Sequence, residues 1–512
     1  MNNDQLIREV ESKIDVKSLV EEALTKTERL LTDGFIKEAE VLVKQLLRVD
    51  DQNVPALQLH ALICHKNREY TNAISILNKA IKIDENNAQT YNNIALCYLH
   101  NSETESARIN IAKAIELEPL NCNFLCNYGL IQKASGENVK AIETFQKALE
   151  LNQTDSKIWE SIGSSYGQEK EYDKAIFYFK KALEIDENDM GAHVNLAYAY
   201  HLTGQWEQAW DEYEYRLDYW NSQGRNSGRF LQTYKKDKKW DGKSDLTDKK
   251  FVIYCEQGFG DMIQFVRFVP ELKKLGADVY IDTPEPLITL FSNFAKTRTI
   301  IDDNYDYNCS ILSLPYLLNR KSPDKFMSDP YVHVDEKFDM TDYKSTFNVG
   351  ICWAGSPGHP NDGNRSCHLS NFRELSKIKG VKLFSLQKEA GKRVYTSMPG
   401  VSIDLTDNCE DIKMVDMSVF MIDYVETAKI INSLDLIITV DTSLLHLAGA
   451  MGKKTYALIA NNPDWRWTSE GNSTVWYENV ELFRQENKCG IWTDVFEKVV
   501  EKVKNESILQ NK

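Results

Sequence analysis

The first half of the chain repeats itself every 34 residues, and that period fixes its fold. Tyr91, Leu125, Trp159 and His193 stand one period apart. Four residues on come Ala95, Gly129, Gly163 and Ala197. Sixteen on come Ala107, Ala141, Ala175 and Ala209, and twenty on come Ile111, Phe145, Phe179 and Tyr213. Small residues let the two helices of a hairpin approach, and the large ones fill the gap between hairpins. Ala73, Leu77 and Ala80 keep the same phase one period upstream, and Gly34 and Ala39 keep it more loosely before that. Six repeats start near residues 20, 54, 88, 122, 156 and 190. A repeat of this length is one supersecondary unit that buries its apolar face only by stacking on its neighbours. The expected result is a superhelix whose concave wall is lined by the first helix of each pair.

The pattern resembles the tetratricopeptide repeat. Two residues after the Tyr91 series lie Asn93, Asn127, Ser161 and Asn195. Asparagine is a mediocre helix former, so its recurrence in mid-helix asks for a reason. A column of amides on a concave wall can bond the backbone of an extended peptide, and the arrangement resembles the asparagine ladder of the O-GlcNAc transferase superhelix. A solvated polar position copied by duplication is the alternative.

A chain of 512 residues is too long for one core, and two to four domains are expected. Its net charge of −15 argues against general nucleic-acid binding. The first residues carry no apolar leader and no stretch reaches the length of a membrane helix, which suggests a cytoplasmic protein. The ten cysteines form no CxxC pair and the nine histidines no HExxH motif, so neither a disulfide framework nor a bound metal is expected.

Past residue 220 the period stops. Residues 221–250 are rich in Gly, Ser, Asn, Lys and Asp, as connectors are, and Trp240 would anchor them on the following domain. From residue 250 short β-rich runs alternate with amphipathic helices. Residues 251–256 read as a strand, 257–261 as a tight loop with Gly258 and Gly260, 262–276 as a helix and 278–284 as the next strand, one βαβ unit. The loop is neither GxGxxG nor a P-loop, so a nicotinamide cofactor is disfavoured. Residues 312–318 would close this first layer. A second sheet begins at 347–357, with strands at 381–387, 434–439 and 454–460, and a terminal helix from 492 could cross back to the first sheet.

The most suggestive stretch is 440–452, VDTSLLHLAGAMG. Asp441, Thr442 and Ser443 are of the types that open a helix. A helix start following a strand of an open α/β sheet is where phosphates bind. An ordinary capped helix is the alternative.

Four motifs taken together, EQGFGD, CWAGSPGHPNDGNRS, DTSLLHLAGAMG and PDWRW, resemble bacterial tetratricopeptide-repeat proteins with a glycosyltransferase domain of GT-B fold. The catalytic half is similar to the heptosyltransferase family and, more distantly, to O-GlcNAc transferase. The resemblance implies an all-α TPR superhelix (residues 1–223), a linker (224–248) and an α/β GT-B fold of two Rossmann-like lobes (249–340 and 341–512). It implies a nucleotide-sugar co-substrate, no other cofactor and no obligate metal. Carried over by residue, Asp261 is the general base, or else an N-cap. Arg365, standing where heptosyltransferases have lysine, together with Thr442, Ser443, His446 and Asp441, would hold the donor phosphates, with packing as the alternative for His446. Gly258 and Gly260 would leave room for acceptor or sugar. His359, Asn361 and Asp362 would contact either substrate or simply shape a turn. Gln387 would read base or ribose, and Trp465, Arg466 and Trp467 would pack the domain, with covering the nucleotide edge as the alternative. The implied function is inverting transfer of a sugar to a protein acceptor, of the flagellin type, bound along Asn93, Asn127 and Asn195. A repeat scaffold with a degenerate transferase half, or a transferase acting on small molecules or lipopolysaccharide, is the alternative.

Overall fold

The computed structural model describes residues 16–222, 234–298, 304–326, 328–359, 361–388, 393–395, 402–486 and 490–510. Part of the connector expected at 224–248 lies outside them. The chain divides into two compact units, one ending at Asp189 and one beginning at Met190.

Among the described residues the first unit is five helical hairpins: α1 (Val16–Thr32) with α2 (Ile36–Val49), α3 (Val54–Lys66) with α4 (Tyr70–Ile83), α5 (Ala88–His100) with α6 (Thr104–Leu117), α7 (Cys122–Ala134) with α8 (Asn138–Leu151), and α9 (Ser156–Gln168) with α10 (Tyr172–Ile185). Polar punctuation repeats with the core. Asn53, Asn87, Asn121 and Asp155 each cap the helix that follows, accepting from its first backbone N–H groups. Inside each hairpin the turn residue takes a left-handed conformation, at Gly34, Arg68, Ser102, Gly136 and Lys170. The five alanines Ala39, Ala73, Ala107, Ala141 and Ala175 are fully buried. Gly129 and Gly163 lie against the rings of Phe145 and Phe179, where a Cβ would come within 2.8 Å of a ring carbon in each case.

The second unit opens with the sixth hairpin, α11 (Met190–Leu202) and α12 (Trp206–Tyr213), extended by α13 (Arg216–Ser222). The hairpin shares its core with the α/β region: Trp206, Trp210 and Tyr213 belong to one buried cluster with Phe251, Phe265, Leu445 and Trp465. Trp240 is buried edge-on against Phe251, anchoring the end of the connector.

Two parallel sheets follow. The first has the order β3-β2-β1-β4, from β1 (Lys250–Tyr254), β2 (Asp278–Asp282), β3 (Lys296–Arg298) and β4 (Tyr307–Ser310). It is closed by β4, not by 312–318. There Pro315, which has no N–H to give a ladder, sits near the start of a helical turn over Leu314–Leu317. The second sheet has the order β12-β11-β10-β5-β6-β9, from β5 (Phe347–Cys352), β6 (Val381–Ser385), β9 (Met414–Asp416), β10 (Leu436–Val440), β11 (Thr455–Ile459) and β12 (Val480–Arg484). A small antiparallel ribbon pairs β7 (Arg393–Tyr395) with β8 (Ser402–Asp404). Every residue of β5, β10 and β11 is buried, as in parallel strands covered on both faces. The arrangement is an all-helical repeat superhelix followed by an α/β region, as the sequence indicates. The terminal helix (Thr493–Gln510) does not cross to the first sheet. Val495, Phe496, Val499 and Val503 pack into the core of the second, with Phe496 edge-on to Phe372. Among the described residues no helix is long and apolar enough to cross a membrane.

Candidate active site

The site forms where helix α14 (Phe259–Phe265) of the first lobe meets helix α17 (Ser443–Ala450) of the second; α15 (Val269–Lys274) and α16 (Tyr424–Ser433) lie between them in the chain. The contact is possible because Gly260 has no side chain. A Cβ there would stand 2.7 Å from His446 Cδ2 and 3.4 Å from Ser443 Cα. A second tie is Arg267, fully buried in the first lobe, which donates to the Trp476 carbonyl of the second at 2.9 Å.

Helix α17 starts where β10 ends. Thr442 is its N-cap, yet the threonine side chain makes no capping bond. The start of the helix therefore keeps backbone donors and the positive end of its dipole for another acceptor. The Ser443 hydroxyl accepts from Tyr424 at 2.7 Å. Arg365 reaches the same place: its Nη1 donates to the Asp441 carbonyl at 3.2 Å and its Nε to Asp362 Oδ1 at 3.1 Å. The guanidinium lies on the backbone of Gly355, where a Cβ would come within 2.6 Å of its central carbon. Burial, and behind it the Asp464 charge, push the Asp441 carboxyl up to about 6, with Arg365 opposing. His446 is 4% exposed, bonded through Nδ1 to the Tyr477 hydroxyl at 3.0 Å and stacked near Trp467. Burial, reinforced by Arg466, drives its pKa well below the ordinary histidine value, so the ring is neutral at pH 7.

Across the contact, Asp261 is held by both oxygens. Its Oδ2 accepts from the Gly258 N–H at 2.8 Å, closing the first turn of α14, and its Oδ1 pairs with Arg466 Nη2. Asp261 is therefore not the N-cap, which is Gly258, but the third residue of the helix reaching back to it, and the remaining lone pairs of the carboxylate leave room for a base role. Burial raises the Asp261 pKa and Arg466 pulls it back. Arg466 is itself 5% exposed. It donates to Gln264 Oε1 at 2.8 Å and Asp464 Oδ1 at 2.7 Å, and lies 4.2 Å over the Trp465 ring.

His359 is exposed beside this cluster. Partial loss of water and the Arg365 charge lower its pKa, while Asp464, Asp362 and Asp261 push back, and its Nδ1 accepts from the Asn361 N–H at 3.1 Å. Asn361 donates to the Asn462 carbonyl at 3.5 Å and accepts from Asn364 at 2.7 Å. Asp362 is 3% exposed and accepts from Arg365 and Ser366, which makes it the support of Arg365.

Gln387 is placed differently from the rest. It is 3% exposed, and its carbonyl oxygen accepts from the backbone N–H groups of Trp353 and Ala354 at 3.2 and 2.9 Å. It fixes the exit of β5 towards the Arg365 loop. Trp465 and Trp467 are buried packing residues, as expected from the sequence, but Arg466 between them is the charge partner of Asp261. That role, and those of Tyr424, Tyr477 and Gln264, carry no local sequence signal. Their partners lie from 19 to 205 residues away.

In the repeats, Asn93 and Asn127 border a cleft of about 350 Å³ with Gln89, Asn92, Asn123 and Ser161. Asn127 donates to Asn92 Oδ1 at 2.7 Å across repeats, and Gln89 donates to Asn93 Oδ1 at 2.8 Å along one helix, so the amides brace one another. Asn195 is on α11, in the second unit.

Residues 422–498, which span α16, β10, α17, β11 and β12, match the family model of glycosyltransferase family 9 (heptosyltransferase). Residues 54–87, 76–109, 123–155, 156–189 and 178–211 match tetratricopeptide-repeat models. No curated protein matches the chain. Among solved structures, the crystal structure of MamA is 27% identical over 31% of this chain and 94% of its own, with a TM-score of 0.28. PilF of Pseudomonas aeruginosa is 19% identical over 42% of this chain and 96% of its own, at 0.34. The Cut9–Hcn1 hetero-tetramer of the APC/C is 21% identical over 39% and 40%, at 0.37. The chain therefore joins tetratricopeptide repeats to a glycosyltransferase family 9 domain, and that domain supports glycosyltransferase activity.

Proposed function

We propose that this protein is an inverting glycosyltransferase of the GT-B type that moves a sugar from a nucleotide-sugar donor to a protein acceptor. The observation that carries the reading is the opening of α17, uncapped by Thr442 and flanked by Arg365, set directly against the helix that begins beside Asp261. In this reading the donor diphosphate takes the backbone donors at Thr442 and Ser443 and the charge of Arg365. His446, neutral and fixed by Tyr477, shapes that wall. An acceptor hydroxyl attacks the anomeric carbon from the opposite side and gives its proton to Asp261. The bond from the anomeric carbon to the phosphate oxygen breaks, and the nucleoside diphosphate leaves with the electron pair. A fixed cation and a helix dipole at the leaving oxygens lower the barrier because they meet charge that grows in the transition state. One displacement inverts the anomeric centre. Arg365 and the dipole supply the counter-charge, so the reading calls for no separate cofactor or metal. Gly258 and Gly260 keep the approach open, and His359 and Asn361 border it.

The protein acceptor is supported by the amide-lined cleft at Asn93 and Asn127, whose groups suit main-chain recognition. The family resemblance of the sequence implies a bacterial, cytoplasmic acceptor of the flagellin type. Intact-mass analysis of candidate acceptors from cells with and without the gene tests the reading. A fixed increment on one protein supports it and reveals the sugar, and no increment on any protein rejects the acceptor class. An acceptor of low molecular weight predicts transfer that survives removal of the repeats. That deletion has to stop at Asp189, since residues 206–217 carry core of the second unit.

A further inference from the structure

The sixth hairpin fits the repeat pattern, yet its side chains are used unlike those of the other five. Arg216, immediately after it, is fully buried. Its Nε and Nη2 donate to Glu256 Oε1 at 2.8 and 2.6 Å, and Nη2 also reaches the hydroxyls of Ser310 and Ser313 at 3.2 and 3.0 Å. Its Nη1 donates to Glu214 at 3.0 Å, and the Tyr213 ring lies 4.6 Å beneath the guanidinium. Tyr213 continues the contact along the loop, its hydroxyl accepting from Gln257 Nε2 at 3.0 Å. Gln257 has φ +63°, a left-handed conformation that is uncommon for residues other than glycine. The next residue, Gly258, donates its N–H to Asp261.

A second route leads from the same hairpin to the same carboxylate. His201 stacks on Trp465 with ring centres 4.1 Å apart, and Trp210 and Tyr213 pack around that ring at 5.7 and 5.6 Å. Arg466 lies on Trp465 and pairs with Asp261. The hairpin thus fixes both the loop that leads into Asp261 and the cation that pairs with it.

The geometry points to the sixth hairpin as a brace of the catalytic loop, with Arg216 as a positioning residue for Asp261. The inference rests on the reading of Asp261 as base. Replacing a buried ion pair by apolar residues of like volume is often neutral or stabilising, so the Arg216–Glu256 pair is better explained by the geometry it imposes than by stability. The five preceding hairpins recruit, and the sixth belongs to the enzyme.

The test uses the full chain and three variants: Arg216→Met, Glu256→Gln, which keeps the shape of the carboxylate, and Tyr213→Phe. Hydrogen–deuterium exchange is followed on peptides covering 257–262 and 443–450. Arg216→Met and Glu256→Gln are expected to speed exchange in 257–262 by about tenfold or more while 443–450 stays unchanged, with a smaller effect from Tyr213→Phe. On the donor–acceptor pair found by mass analysis, kcat falls by up to about 100-fold while the donor KM holds, because a small misplacement of a reacting group is enough to slow the chemical step. Should Arg216→Met fail to fold, Glu256→Gln decides alone. Unchanged exchange in 257–262, loosening spread equally over 443–450, or an unchanged kcat overturns the brace. Selective loosening in a protein that transfers no sugar supports the brace and rejects the transferase reading.

Discussion

The repeat unit and the catalytic unit solve the same problem, holding polar groups in a packed interior, at different ranges along the chain. In the repeats the bonds between hairpins span about one period: Gln58 to Thr90, Arg108 to Glu137, Lys133 to Ser164 and Asn127 to Asn92. Each hairpin is completed by its neighbour, and a fault in one is met mainly by the next. In the catalytic unit Arg466 reaches Asp261 across 205 residues and Gln264 across 202. A fault there is felt at once by both lobes. The lesson is that the two units tolerate substitution differently: the array by local adjustment, the site through a few long-range pairs that have no substitutes.

The sharpest way to break this comparison is Asp261→Asn. The amide is no longer a base, and with one acceptor oxygen in place of two it keeps either the Gly258 N–H or the Arg466 contact. Turnover at saturating donor should fall by roughly 10²–10⁴, the usual contribution of a general base, while donor affinity stays within about threefold. Initial-rate and calorimetric measurements decide it, and full activity would remove Asp261 from the mechanism. Next in size is Arg365→Met. Losing a charge-assisted contact to phosphate is worth about 1.5–3 kcal/mol, so sugar-nucleotide affinity should drop by about 10- to 100-fold. Affinity unchanged within error would move the phosphates away from the start of α17.

These two residues stand out in the sequence because their motifs are local: a Gly-rich turn before a helix, and a basic residue in a polar loop after a strand. The repeats were legible for the same reason several times over, since Asn53, Asn87 and Asn121 restate the helix starts that the alanine column implies. What the sequence concealed is what depends on distance. Arg466 between two tryptophans reads as packing, and only the fold brings Asp261 to it. Gln387 at a strand end reads as a ligand contact, because a buried amide serving a loop and an exposed one serving a substrate look alike in sequence. The terminal helix has an apolar stripe that fits either sheet, and only the packing of Phe496 on Phe372 assigns it to the second.

A gentler probe is the pH dependence of donor binding. The Asp441 carboxyl titrates at about 6, above its ordinary value, so at pH 7.5 it is ionised beside the phosphate site and at pH 5.5 it is largely neutral. The pyrophosphate of a sugar nucleotide stays doubly charged over this range. Wild-type affinity should therefore rise by about three- to tenfold as pH falls through 6, and Asp441→Asn should be flat and tight throughout. Folding stability carries the same sign. A raised carboxyl contributes stability below its unfolded pKa that is lost as pH rises through about 6, so the asparagine variant should gain on the wild type above that pH. An affinity profile of the variant parallel to the wild type's would assign the titration to another group.

The smallest expected effect tests the other side of the comparison. Asn127→Ala removes an amide that borders the repeat cleft and bonds Asn92. One neutral hydrogen bond is worth about 0.5–1.5 kcal/mol, so the acceptor KM should rise by about two- to tenfold. Donor affinity and the rate at saturating acceptor should stay as they are, because the faults of an array remain with the neighbouring repeats. If the substitution instead lowered kcat, the repeats would be acting on the chemical step and not only on capture. The separation between a locally repaired array and a site dependent on long-range pairs would then not hold at the cleft.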